Sequence, residues 1–271
     1  MKISIVLSTQ AASFEAATFQ GDLEDNLASI ARLGYDGVEL AIRDPGLVDA
    51  DALLEAVGRH DLNISAVGTG QAWGEEGLSF VDPDPAVREA AIERIESHLP
   101  FAARAEAVVI LGLIRGTLVP GMDPDQAMDD LVSALQRCGT RAAELGVRLA
   151  LEPIRADETR LINTVEQALV LVERVERESF GLLLDTYHMH IEEPDILQGI
   201  RRASGRIFHF HVADSNRQYP GAGELDFPAL LGVLRDTGYD GWVSGEFLPR
   251  PDVHTAAKEA IGLLRGIIGG L

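Results

Sequence analysis

The 271-residue chain carries 23 Lys plus Arg against 43 Asp plus Glu, a formal net charge of −20, and 46% of its residues are hydrophobic. That apolar share can fill a large core, while the acidic surplus excludes a groove built to neutralise phosphates, so nucleic acid is not an expected partner. Cys138 is the only cysteine, which excludes an intrachain disulfide and a thiolate metal cluster and fits a reducing compartment.

No apolar run approaches the roughly 20 residues needed to span a bilayer. The opening MKISIVLST lacks the apolar core and small-residue cleavage site of a signal peptide, so a cytoplasmic protein with no membrane partner is expected. In chain order, the β-branched run Ile3 to Leu7 predicts a first strand, and a helical period from about Asp22 to Leu33 stops at Gly34. The second strand is VELAI, followed by Arg43, Asp44 and Pro45 and a helix near Asp51 to Arg59. The third is Asn63 to Val67, whose loop GTGQAWGEEG holds Gln71 and reads equally as a close-approach ligand loop or a long flexible turn. A helix from Pro85 to Ala105 precedes the fourth strand, 107–114, and Arg115 follows it. A helix from Pro124 to Leu145 leads to the fifth strand, Arg148 to Glu152, which breaks at Pro153.

A helix from Val165 to Arg177 then precedes GLLLD, the sixth strand, ending in Asp185, with TYHMHIEEPD read as its loop. After a helix from Asp195 to Ala203 comes IFHFH, where alternation puts His209 and His211 on one face and Phe208 and Phe210 on the other. A helix over Phe227 to Thr237, a strand WVSGE ending at Glu246, and a helix from His254 to Ile267 close the chain. Eight strand-helix units with continuous apolar strands predict an α/β fold, a single (β/α)8 TIM barrel over residues 1–271.

In such a barrel, function sits at the C-terminal ends of the strands. Glu152, Asp185, His211 and Glu246 occupy that position on four successive strands, an oxygen-rich set suited to one divalent ion, Mn²⁺ or Mg²⁺ first and Co²⁺ or Zn²⁺ tolerably. A lone strand-end carboxylate commonly just bonds backbone amides, but four convergent donors are hard to read that way. His209 reads equally as a bonded core histidine.

The runs LEP with the following ET and NT, LLDTYHMHIEE, HFHVADSNR and SGE resemble the xylose-isomerase-like barrels, and within them the ketose 3-epimerases. The resemblance implies Glu152, Asp185, His211 and Glu246 as metal ligands, Glu152 and Glu246 as the acid/base pair, and Glu158, His188 and Arg217 as holders of the substrate's oxygens. A narrower likeness, in ISIVLSTQAASFEAATFQGDL, VELAIRDP, VGTGQAW and LGLIRG, is to the 5-keto-L-gluconate epimerase branch. It implies a keto-sugar acid as substrate, with Gln71 in the site and Arg43 or Arg115 on the carboxylate; both arginines read equally as ion-paired surface residues.

The expected reaction is epimerisation next to a ketone, where a divalent ion stabilises the enediolate left when a carboxylate removes the proton, and a second carboxylate returns it from the far face. A neutral ketose 3-epimerase and a hydroxypyruvate-type aldose-ketose isomerase are the alternatives within enzymes. An abasic-site endonuclease would need more ligands and a basic surface, and a non-catalytic sugar-binding barrel would be expected to lose a ligand. A homo-oligomer is compatible with the sequence.

Overall fold

The acidic residues that dominate the charge have a structural use at the helix starts. In the computed structural model, which describes residues 1–10 and 14–270, Asp22, Asp49, Asp84, Asp123, Asp195 and Asp226 each cap a helix by accepting a backbone N–H from its first turn. Thr164 and Gln167 form a reciprocal capping box at another. A carboxylate there satisfies an orphan donor and meets the positive end of the helix dipole. The run from Ile3 to Leu23 that carries part of the narrower likeness includes positions 11–13, outside the described residues.

The strands are β1 (Lys2–Ser8), β2 (Gly37–Ala41), β3 (Asn63–Gly68), β4 (Val108–Leu111), β5 (Leu149–Leu151), β6 (Phe180–Asp185), β7 (Ile207–Val212) and β8 (Trp242–Gly245). All pair in parallel, each with its sequence neighbours, and β8 returns to β1 to close an eight-stranded barrel. The helices between them are α1 (Leu23–Leu33), α2 (Ala50–Arg59), α3 (Gln71–Glu76), α4 (Pro85–Ala105), α5 (Pro124–Glu144), α6 (Val165–Val175), α7 (Thr186–Glu192), α8 (Ile196–Arg202), α9 (Phe227–Asp236) and α10 (Val253–Gly270). Among the described residues no helix is long and apolar enough to cross a membrane.

Alternation divides the apolar side chains into two cores. Ile3, Ile5, Leu7, Val38, Leu40, Leu149, Leu182 and Phe210 pack outward under the helices, while Ala66, Val108, Ile110, Ala150 and Leu183 fill the inside of the barrel. Phe208 departs from the expected face. The β6/β7 register shifts between Leu182, opposite Ile207, and Leu183, opposite His209, so Phe208 is the extra residue of a bulge. It packs with the interior cluster, under the Arg148 guanidinium and against Gly181, where a Cβ would lie 2.7 Å from its ring. Phe210 keeps the helix side, and His209 and His211 both point inward.

Three local expectations are corrected. The segment after Asp185 is not a loop but α7, and the glycine-rich loop after β3 contains α3. The fourth strand ends at Leu111, because Gly112 leaves extended geometry and a 3-10 turn, Leu113–Arg115, follows.

His98 on α4 is wholly buried with neither ring nitrogen hydrogen-bonded, and burial pushes its pKa down to about 3. The unfolded chain therefore takes up a proton below an ordinary histidine pKa of about 6.5 while the folded chain does not, so stability is lost as pH falls through that window. This one group should remove about 2 kcal/mol between pH 7 and pH 5. Denaturant unfolding at the two pH values checks it: His98→Leu should narrow the difference by about that amount, and an unchanged difference would contradict it.

Candidate metal and catalytic site

At the C-terminal mouth of the barrel, Asp185 ends β6 directly opposite His211 on β7, and Glu152 and Glu246 follow the last residues of β5 and β8. His211 Nδ1 lies 3.7 Å from Asp185 Oδ2, 3.8 Å from Glu246 Oε2 and 3.9 Å from Glu152 Oε1. The four donor atoms lie within 4.8 Å of one another. They are too far apart to bond directly and aim at one point. Glu152 Oε1 and His211 Nδ1 are buried with no hydrogen-bond partner, which is costly unless a cation takes up their lone pairs. Three carboxylates and one imidazole fit a hard divalent ion with coordination positions left open.

The electrostatics agree. Burial and the neighbouring Glu246 charge hold the Glu152 carboxyl well above the usual carboxylate range. Burial likewise pushes Glu246 up to about 7, with the Asp185 charge adding to it and His211 opposing it. Burial acts against a charged His211, but the charges of Glu39 and Glu246 outweigh it and hold its pKa well above the ordinary value. Like charges crowded in a dry site favour protons in the absence of a cation, and a divalent ion supplies the missing charge.

Asp185 also organises its neighbours. Its Oδ1 caps α7 by accepting from Tyr187 N at 2.6 Å and His188 N at 3.3 Å, which leaves Oδ2 facing the donor cluster. The cap sets His188 beside the cluster, its Nδ1 accepting from the Arg155 backbone at 3.5 Å and its Nε2 3.7 Å from Glu152 Oε1. Burial lowers the His188 pKa, so it is a neutral imidazole with an Nε2–H donor directed at the site.

Above this floor opens a cavity of about 550 Å³, within the range of small-molecule sites. Its wall includes Glu158, His188, Arg217 and Gln71, together with Arg155, Tyr187, Trp73 and Glu39. Glu158 accepts from Arg155 Nε at 2.8 Å and from Arg217 Nη1 at 3.1 Å. The Arg217 guanidinium sits 5.0 Å from the Tyr187 ring and 5.4 Å from that of Phe14. Gln71 donates to Ser8 Oγ at 3.0 Å and leaves its own buried Oε1 unpartnered.

Two expected substrate residues lie elsewhere. Arg43 is outside the cavity wall and pairs with Glu76 at 3.3 Å. Arg115 is fully buried behind the site, donating to the backbone carbonyl of Glu152 from the 3-10 turn that replaces the end of the expected strand. Neither lines the cavity. Four of the named wall residues escaped the sequence reading, Trp73 among them although its loop was singled out. Glu39 was legible, as a carboxylate at an inward position of VELAI; Arg155 and Tyr187 depend on loop and α7 geometry that periodicity does not show.

A family model described as xylose isomerase-like TIM barrel matches residues 27–267. The chain belongs to that family. A ketose 3-epimerase of Arthrobacter globiformis is 31% identical over 86% of this chain and 80% of its own length. A 3-dehydro-D-guloside 4-epimerase of Escherichia coli (strain K12) is 27% identical over 92% of this chain and 96% of its own. A solved structure of an L-ribulose 3-epimerase superposes with a TM-score of 0.85 at 25% identity, covering 99% of this chain and 95% of that one.

Removing the imidazole from the donor set should abolish tight ion binding without unfolding the barrel. Metal analysis of His211→Ala after loading with Mn²⁺ and desalting checks this: the variant should come through empty, and stoichiometric Mn²⁺ would contradict the donor assignment.

Proposed function

We propose that the protein is a divalent-metal-dependent epimerase that inverts the carbon next to the ketone of a neutral ketose. That it is an enzyme of the sugar epimerase and isomerase class is carried by family membership and by relatives that are themselves named epimerases. The observation that carries the metal-dependent reading is the ring of four mutually unbonded donors, three of them buried and Glu246 partly so, beside the cavity that Glu152, His211 and Glu246 line. An ion held there supplies Lewis-acid polarisation of the ketone oxygen and so acidifies the adjacent C–H.

The chain's own groups move the proton. Glu152 and Glu246 belong to strands on either side of the Asp185–His211 pair, so a ketose lying over the cluster has one carboxylate toward each face. One takes the proton and the other returns one from the opposite face. His188 Nε2–H, Glu158 and Arg217 line the cavity, and in this reading they bind the oxygens beside the reacting carbon. Such contacts orient the substrate and exclude water.

The cations on the cavity wall support a neutral substrate. Among the described residues the arginines on the cavity wall are Arg155 and Arg217, and both already share the Glu158 carboxylate. A keto-sugar acid would bring a further negative charge to a wall that also holds Glu15. The keto-acid expectation came from the narrower likeness, with Arg43 or Arg115 on the carboxylate, and neither arginine lines the cavity.

Incubating the Mn²⁺-loaded protein with neutral ketoses and with keto-hexonates, and identifying products by NMR, tests the assignment. Neutral ketoses should epimerise with the higher kcat/KM, and conversion of keto-hexonates alone would overturn the substrate reading. In D₂O, Glu152→Gln and Glu246→Gln should each stop net inversion, while at least one still admits deuterium at the substrate's reacting carbon through the surviving carboxylate. With metal occupancy verified, near wild-type inversion by either variant would rule out the two-base route.

A further inference from the structure

Glu39 projects from β2 into the barrel, buried and 170 residues from the nearer of its two histidine partners in sequence. Its Oε2 lies 2.8 Å from His209 Nε2 and 2.9 Å from His211 Nε2. A carboxylate oxygen that accepts from two imidazoles requires a proton on both Nε2 atoms. In the neutral ring that a metal ion requires, this leaves His211 Nδ1 as the nitrogen with a free lone pair. That nitrogen is the one within 3.9 Å of Glu152, Asp185 and Glu246, and it is buried without a partner. His209, by contrast, is fully buried and keeps its Nδ1 unpartnered, away from the donor ring. It adds a second donor to the same oxygen and so fixes where that oxygen sits.

We propose that Glu39 is a positioning residue for the metal centre: held by His209, it locks His211 in the orientation and tautomer that present Nδ1 to the ion. The inference deepens the metal-dependent reading and rests on it. It also accounts for a charged residue in a barrel interior whose apolar part is Ala66, Val108, Ile110, Ala150 and Leu183. An apolar side chain at position 39 would fill the same space, but it would leave two buried Nε2–H donors without an acceptor and His211 free to rotate.

The test uses the full chain, stripped of metal and titrated with Zn²⁺, a diamagnetic probe. Wild type should bind the ion. NMR of the protein carrying isotope-labelled histidine should then show His211 coordinated through Nδ1 with its proton on Nε2. E39Q, which replaces a charge-assisted carboxylate acceptor with a neutral amide oxygen, should lose about 10- to 100-fold in Zn²⁺ affinity while its thermal unfolding without metal stays cooperative. E39D, which keeps a shortened carboxylate, should recover part of that loss. Coordination of wild-type His211 through Nε2 overturns the proposal without any variant. So does a folded E39Q that binds Zn²⁺ as tightly as wild type, and in either case the metal site itself stands. Failure of the wild-type protein to bind Zn²⁺ or Mn²⁺ at all would instead overturn the metal reading beneath it.

Discussion

Crowding of negative charge in a dry pocket governs the catalytic end of this barrel. Glu39, Glu152 and Asp185 are buried, Glu246 is nearly so, and the donor atoms of the ring converge on a gap that none of them closes by bonding to another. Left to themselves, such groups hold protons, as the raised pKa values of Glu152 and Glu246 express. A fold tolerates that arrangement when something else supplies the compensation, and a divalent ion is the economical choice.

The rest of the site can be understood as support for that ring. The parallel register sets Asp185 opposite His211, and one oxygen of Asp185 starts α7 while the other is left for the ring. The cap brings His188 and Tyr187 to the wall, and Tyr187 in turn carries Arg217 on its face and accepts from Arg155 Nη1 at 2.7 Å. Arg217 adopts a left-handed backbone, φ 59°, held by its N–H to Asp214 O and by its carbonyl accepting from Leu248 N. Holding a non-glycine residue there costs of order 1–3 kcal/mol, which is met by the buried Asp214 organising the loop through backbone amides of Ser215, Gly221 and Leu225.

Much of this was legible in the sequence, for reasons that differ by residue. The barrel could be read because most of the parallel strands are short apolar runs and most of the longer helices start at a side-chain cap, rules that act over a few residues. The ring could be read because strand ends map directly onto the barrel mouth. Arg43 and Arg115 could not, because position after a strand does not say which way a side chain turns: the 3-10 turn at Leu113–Arg115 swings Arg115 behind Glu152. Phe208 failed for a similar reason, since a one-residue bulge reverses the alternation that placed it. Glu39 needed no hidden geometry, only the observation that a carboxylate at an inward strand position must find partners in the barrel.

A crystal grown with Mn²⁺ and measured at a wavelength where manganese scatters anomalously tests the central claim most directly. A single anomalous peak should lie about 2.0–2.3 Å from a donor atom of each of Glu152, Asp185, His211 and Glu246, with His211 contributing Nδ1. No peak in that ring, or a peak instead among Glu39, His209 and His211, would contradict it.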